Sequence, residues 1–136
     1  MRLKTTMPEE VVNDLLGFKG MKIIKRPDMM NFSLDSILLS DFVKPTQKTK
    51  HILDIGTGFA PIPLFLSTKT KAKIIGVELQ EAVVEIAKKN VALNDLTDQI
   101  TIIHNDIKAL RTTYPPSAFD TITVNPPFFK VTSDSK

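Results

Sequence analysis

The stretch "HILDIGTGFAPIP", residues 51–63, decides the fold. His51 to Ile55 form a short apolar run of strand character. Gly56 and Gly58 interrupt it, and Pro61 and Pro63 follow where the spacing predicts the first turn of a helix, "PIPLFLSTKT". A strand, a glycine corner and a helix make the first half of a βαβ unit. The glycines let the chain turn sharply and let its backbone approach a ligand closely. Taken alone they are equally well a tight strand-to-helix turn.

Working outward, the alternation continues. "AKIIGVEL" (72–79) predicts a second strand, "QEAVVEIAKKNVALN" (80–94) a helix and "QITIIHND" (99–106) a third strand. "IKALR" (107–111) predicts a short helix, "PPSAF" (115–119) a loop and "DTITVN" (120–125) a fourth strand. In the long helix Val83, Val84, Ala87 and Val91 form the inward face, and Glu85 with Lys89 forms an i,i+4 pair. This pattern means an α/β fold with a parallel sheet and right-handed crossovers, for which the strand order 3-2-1-4 is expected. A ligand then sits at the carboxyl ends of the strands, where the order reverses. That arrangement brings "DIGTG" (54–58) and "NPPF" (125–128) to one crevice.

Upstream, "TTMPEEVVNDLLG" (5–17) predicts a helix with Val11, Val12, Leu15 and Leu16 on its apolar face. "MKIIKR" (21–26) predicts a short strand, and "SLDSILLSDFV" (33–43) a second helix capped by Ser33. Residues 1–46 are thus expected to be a small helical extension packed on a core of residues 47–136.

The 136 residues, 42% hydrophobic and 24% charged, suffice for one globular domain with a real core. Cysteine is absent, which excludes disulfides and thiolate metal sites and fits a reducing, cytoplasmic setting. His51 and His104 have no companion ligands in the pattern, so no metal is expected. The start has no apolar signal-like segment, and the longest apolar run, "FAPIPLFL", is too short and too proline-rich to span a bilayer. The net charge of +3 arises within residues 1–50, which hold nine Lys and Arg against six Asp and Glu. Such a surplus permits a polyanionic partner without requiring one.

Glu78 ends the second strand 20 residues after Gly58, the spacing at which an acid meets a nucleotide ribose. Its carboxylate can accept from both ribose hydroxyls. A dinucleotide site wants a third glycine three positions on, where this chain has Pro61, which has no N–H for a phosphate. The expected ligand is therefore a nucleoside without a diphosphate, and S-adenosylmethionine is one. Asp106, in "HNDIKAL", ends the third strand and either accepts from an adenine amine, caps the next helix, or does both. Asp54, Gly56, Thr57, Gly58, Glu78, Leu79, Asp106 and Ile107 form the expected cofactor-binding set.

The "NPPFF" corner suits a particular difficulty. An exocyclic amine on an aromatic ring is a poor nucleophile because its lone pair is delocalised. Two acceptors that take its two N–H groups steer the lone pair toward a methyl donor. Asn125 offers a side-chain oxygen and Pro126 a carbonyl, and Pro126 with Pro127 stiffens the backbone that carries them. Phe128 offers an aromatic face on which a flipped base can stack. These four are the candidate catalytic residues; the plainer alternative is a proline-rich strand exit with two core aromatics.

Together "DIGTG", Glu78, Asp106 and "NPPF" resemble the class I S-adenosylmethionine-dependent methyltransferases, in the amino-methylating branch. Within it, "KIIKRPDMMNFSLDSILLSDFV" (22–43), "ILDIGTGFAPIPL" (52–64) and "NPPFFK" (125–130) look like the bacterial tRNA adenine-N6 methyltransferases that modify valine tRNA beside the anticodon. The resemblance runs from about Asp14 to the C-terminus. It implies a Rossmann-like sheet, S-adenosylmethionine as cofactor, and tRNA or another RNA as partner. It also places Phe32, Ser33 and Asp35 beside the methionine end of the cofactor. Guanine N2 in rRNA and the glutamine side-chain amide remain as alternative acceptors. Relatives of this kind continue for three more strands and helices. The expectation is therefore a core truncated after its fourth strand, whose open edge could drive association. A non-catalytic cofactor-binding fragment is the second functional class.

Overall fold

Side-chain alternation along four parallel strands sorts the core between the two faces of one sheet. The computed structural model describes residues 10–14, 20–25 and 40–124. The strands of this sheet are β3 (His51–Ile55), β4 (Lys73–Glu78), β5 (Ile100–His104) and β6 (Thr121–Val124). They lie in the order β5-β4-β3-β6, and every neighbouring pair is parallel. Ahead of them, β1 (Val11–Asp14) and β2 (Lys22–Lys25) form a separate antiparallel pair.

Helices α1 (Pro61–Ser67) and α2 (Glu81–Leu93) follow β3 and β4 and cover one face. There Ile52, Ile74, Ile100 and Ile102 pack with Leu64, Phe65, Val83, Ala87 and Val91. Helix α3 (Ile107–Thr113), with a short 3-10 turn at Pro116–Ala118, covers the other face, where Leu110 meets Leu53 and Val77. Six residues of α1, Pro61 to Leu66, are buried, because β2 adds Ile23 and Ile24 to the same cluster. An α-helix apolar on every side needs cover beyond the sheet, and the N-terminal strand pair supplies some of it.

Two expectations are corrected. Val11–Asp14, expected inside a helix, form strand β1. The local pattern favoured a helix, but β-branched Val11 and Val12 find a strand partner in Lys25 and Ile24, and the ladder wins over propensity. Lys89 does not pair with Glu85; its Nζ lies 2.9 Å from Glu10 Oε2, which ties α2 to the start of β1. Of the helix expected at 33–43, residues 40–42 are helical, and its Ser33 cap lies outside the described residues.

Two amides, one on α2 and one at its C-cap, hold the strand pair down. Asn90 Nδ2 donates to Ile24 O, and Asn90 Oδ1 accepts from Ile24 N. One turn later Asn94 repeats this with Lys22, donating to its carbonyl and accepting from its N–H. The i,i+4 step of a helix thus matches the i,i+2 step of a strand, and the two side chains stand in for a neighbouring strand. At the other end of the sheet Asp120 Oδ2 accepts from Lys50 N and His51 N, at 2.6 and 2.8 Å, while Asp120 N donates to His51 O. These bonds depress the Asp120 carboxyl below its ordinary range.

Removing the Asn90 amide strands several buried backbone groups, so Asn90→Ala is expected to cost about 3 kcal/mol, against about 1 kcal/mol for the half-exposed Asn94→Ala. Urea unfolding followed by circular dichroism checks the difference; equal costs would show that the two amides do not differ in this way.

Candidate functional site

The carboxyl ends of β3, β4 and β5 carry most of the expected site residues, and the register explains how. Asp54 on β3 lies opposite Gly76 on β4 and Thr123 on β6. Thr123 Oγ1 donates to Asp54 Oδ1 at 2.6 Å. Asp54 is fully buried, and its second oxygen, Oδ2, has no hydrogen-bond partner; nor has the equally buried Thr57 Oγ1. Thr57 folds back over Gly76, where an added Cβ would stand 2.7 Å from Thr57 Oγ1. A glycine inside a strand is needed at that close approach. Asp54 and Thr57 therefore turn their side chains into the protein, and what they hold is the shape of the loop.

That loop alternates. Gly56, Gly58 and Ala60 all have left-handed backbone, with φ of 72°, 60° and 73°. Glycine takes this conformation freely, whereas at Ala60 it costs about 1 kcal/mol. Gly56 N and Thr57 N both donate to Val77 O, which stitches the loop to β4. Pro61 and Pro63 then enter α1 without N–H groups, leaving its N-terminus short of donors for a phosphate.

Glu78 joins the loop from the other side. The sequence spacing suggested that Gly58 and Glu78 serve one ligand; the structure bonds them directly, Gly58 N donating to Glu78 Oε1 at 2.9 Å. Gln80 N donates to Oε2 at 3.1 Å. Leu79, between them, is 63% exposed and forms an apolar rim. Asn105 N donates to Glu78 O, and His104 Nε2 donates to Leu79 O, so β5 is latched to the same edge. Asp106 caps α3, accepting from Lys108 N at 3.0 Å, and is exposed. Ile107 is the first residue of α3. Phe32, Ser33 and Asp35, and the catalytic candidates Asn125, Pro126, Pro127 and Phe128, lie outside the described residues. β6 ends at Val124, opposite Ile55, the last residue before the glycine loop.

Three contributors were missed in the sequence. Asn90 Nδ2 also donates to Phe59 O at 2.7 Å, so the amide that anchors β2 also holds the loop. Its signal was an asparagine beside the apolar stripe of α2. Gly76, a glycine inside a strand, was the signal for the Thr57 approach. Thr123 alternates with Ile122 and Val124, which marks it as facing the side opposite to theirs.

Burial pushes the Asp54 carboxyl up from 3.8 to about 6; the Thr123 and Thr57 hydroxyls pull it partly back, and the Glu78 charge adds to the rise. The Thr57 hydroxyl favours the charged form from a position outside hydrogen-bond geometry. The folded value exceeds the unfolded one, so this stability is fully present below about 3.8 and is lost as pH rises to about 6. Asp54→Asn keeps an acceptor for Thr123 and removes the titration. Its stability relative to the unsubstituted protein is expected to improve by about 2 kcal/mol between pH 4 and pH 7. Urea midpoints at the two pH values check this; a difference independent of pH would sink it.

Comparison with known proteins bears on this geometry. A family model described as "Methyltransferase small domain" matches residues 33–136. A tRNA1(Val) (adenine(37)-N6)-methyltransferase of Porphyromonas gingivalis is 32% identical over 123 residues, covering 86% of this chain and 48% of the relative. A Methanocaldococcus jannaschii relative named for protein N5-glutamine methylation is 30% identical over 122 residues, covering 90% of this chain and 58% of its own. Among solved structures, M. capricolum TrmK in complex with S-adenosyl-homocysteine superposes with a TM-score of 0.58 at 25% identity, over 68% of this chain and 40% of that one. The chain spans about half the length of the first of these relatives. A Rossmann-like sheet with a glycine loop clamped at its carboxyl edge, matched by that family model over residues 33–136, shows that the chain belongs to the methyltransferase small domain family.

Proposed function

We propose that this chain is the cofactor-binding part of an S-adenosylmethionine-dependent methyltransferase that acts on the exocyclic N6 amine of an adenine in tRNA. The observation that carries the reading is the Glu78 carboxylate, 6% exposed at the end of β4 and joined to Gly58 N. Each of its oxygens accepts one backbone N–H, from Gly58 or Gln80, and has a further lone pair for a ribose hydroxyl. Leu79 supplies an apolar rim for a flat base, and Asp106 an exposed carboxylate for its amine. The proline-blocked start of α1 speaks against a pyrophosphate and suits a sulfonium nucleoside. Gly56, Gly58, Glu78, Leu79, Asp106 and Ile107 would hold it, with Asp54 and Thr57 shaping the loop from behind. Phe32, Ser33 and Asp35 are assigned to its methionine end.

Bound there, S-adenosylmethionine supplies an electrophilic methyl group. The chain's own work is on the acceptor. Asn125 Oδ1 and the Pro126 carbonyl take the two N–H groups of the amine and turn its lone pair outward, while Pro127 keeps the corner stiff and Phe128 stacks on the base. The amine proton leaves after transfer, so no general base is required beforehand. Similarity to the tRNA1(Val) adenine-N6 enzymes supports the adenine of a tRNA as target and the cytoplasm as the setting. The glutamine-amide relative shares the same amine chemistry and is the second reading.

In the complete gene product, Asn125→Ala is expected to lower turnover on a tRNA transcript at least about 100-fold, the scale of losing a preorganised polar contact, with cofactor affinity nearly unchanged. Glu78→Ala should weaken cofactor binding first. Calorimetry and nucleoside mass spectrometry read both. Near-normal turnover in Asn125→Ala removes the mechanism, and loss of N2-methylguanosine or methylated glutamine from a strain lacking the gene, with N6-methyladenosine retained, removes the substrate.

A further inference from the structure

Residues 44–73 hold six lysines and a single carboxylate, Asp54, which is fully buried. The fold gathers four of those lysines around one groove. Lys44, Lys48 and Lys50 lie in the segment leading into β3, and Lys69 and Lys71 in the one leading into β4, whose first residue is Lys73. Both segments are at the amino ends of the parallel strands, opposite the glycine loop. Between them runs an open groove of about 770 Å³, lined by Lys50, Lys69, Lys71 and Lys73 with the hydroxyls of Thr46 and Thr68 among others.

The charges differ in how they are engaged. Lys69 Nζ donates to Ser40 O at 2.7 Å and lies 3.6 Å from the exposed Asp41 carboxylate. Lys73 Nζ donates to Asp98 O. Lys50 and Lys71 form no ion pair among the described residues. The nearby Asp120 carboxylate is engaged by the backbone N–H groups of Lys50 and His51. The groove has no Phe, Tyr or Trp in its lining, and His51 is its one aromatic ring, against four lysines. It offers ammonium groups and hydroxyls, the chemistry that takes phosphate oxygens.

We propose that this groove binds the phosphate backbone of the RNA substrate, well away from the base that is modified. The inference extends the RNA reading above and rests on it. β3 alone separates the two ends of the sheet by roughly 17 Å, so a single loop nucleotide cannot touch both, whereas a folded RNA of tRNA size can. The groove would thus sense the overall body of the RNA while the carboxyl edge handles one base.

The test is binding of a fluorescein-labelled, unmodified tRNA transcript to the full chain, by anisotropy across a salt series. The double variant Lys50→Gln/Lys71→Gln is expected to bind about tenfold more weakly at 100 mM salt, and to reduce the slope of log Kd against log salt by about 2, close to one per lost phosphate contact. Its thermal midpoint and its affinity for S-adenosylmethionine should stay unchanged. Lys88→Gln, on the exposed side of α2, is the charge control and should have little effect. An unchanged affinity and slope in the double variant overturns the proposal. So does an equal loss in Lys88→Gln, which would mean only general charge attraction. Displacement of an acidic peptide from the groove with RNA binding intact assigns it to a protein and also overturns it. If the slope changes as expected but no N6-methyladenosine is made, the groove stands and the assigned reaction falls.

Discussion

Two successive residues of the glycine loop are held by two different elements, and the carboxyl edge is built around them. Gly58 donates its N–H to Glu78, and Phe59 gives its carbonyl to Asn90. Glu78 closes β4, while Asn90 lies deep in α2. The loop therefore cannot shift without breaking a charged hydrogen bond on one side or stranding a buried amide on the other. Its left-handed turn at Ala60 is a conformation that a free chain would seldom hold, and the clamp keeps it.

The clamp is fastened to three other parts of the chain. Through Asn90 and Asn94 it reaches β2, so the N-terminal strand pair and the glycine loop share one anchor. Through Thr57 it reaches Gly76, and through Asp54 it reaches Thr123 on β6. Asp54 is a costly member of this set, since its carboxylate is buried with one oxygen unpartnered. Its position beside a functional loop is where a fold commonly keeps a group that stability alone would not choose.

The two ends of the sheet have opposite characters. The carboxyl edge gathers Glu78 and Asp106 around an apolar rim at Leu79. The amino edge gathers lysines and hydroxyls around an open groove. Loops set these characters, while the strands between them are apolar and alike, which is how one layered core can face two chemistries.

Much of this was legible in the sequence. Alternating apolar runs and amphipathic helices fixed the α/β class, because the period of a strand and of a helix differ and each is local. The glycine corner and the cap at Asp106 were equally readable, since each follows from backbone demands within a few residues, and Glu78 was readable from its spacing of 20 residues after Gly58. What the sequence could not decide was which distant groups share a bond. Val11 and Val12 looked helical until a partner strand existed, Lys89 chose Glu10 over its helical neighbour, and Asn90 found its three partners only after α2 had packed. Local propensity is worth tenths of a kcal/mol per residue, whereas a buried amide or carboxylate left without a partner costs about 1–3 kcal/mol. The tertiary contacts therefore set the final arrangement, and the lysines of two separate segments became one groove only because the parallel register brought their strand ends together.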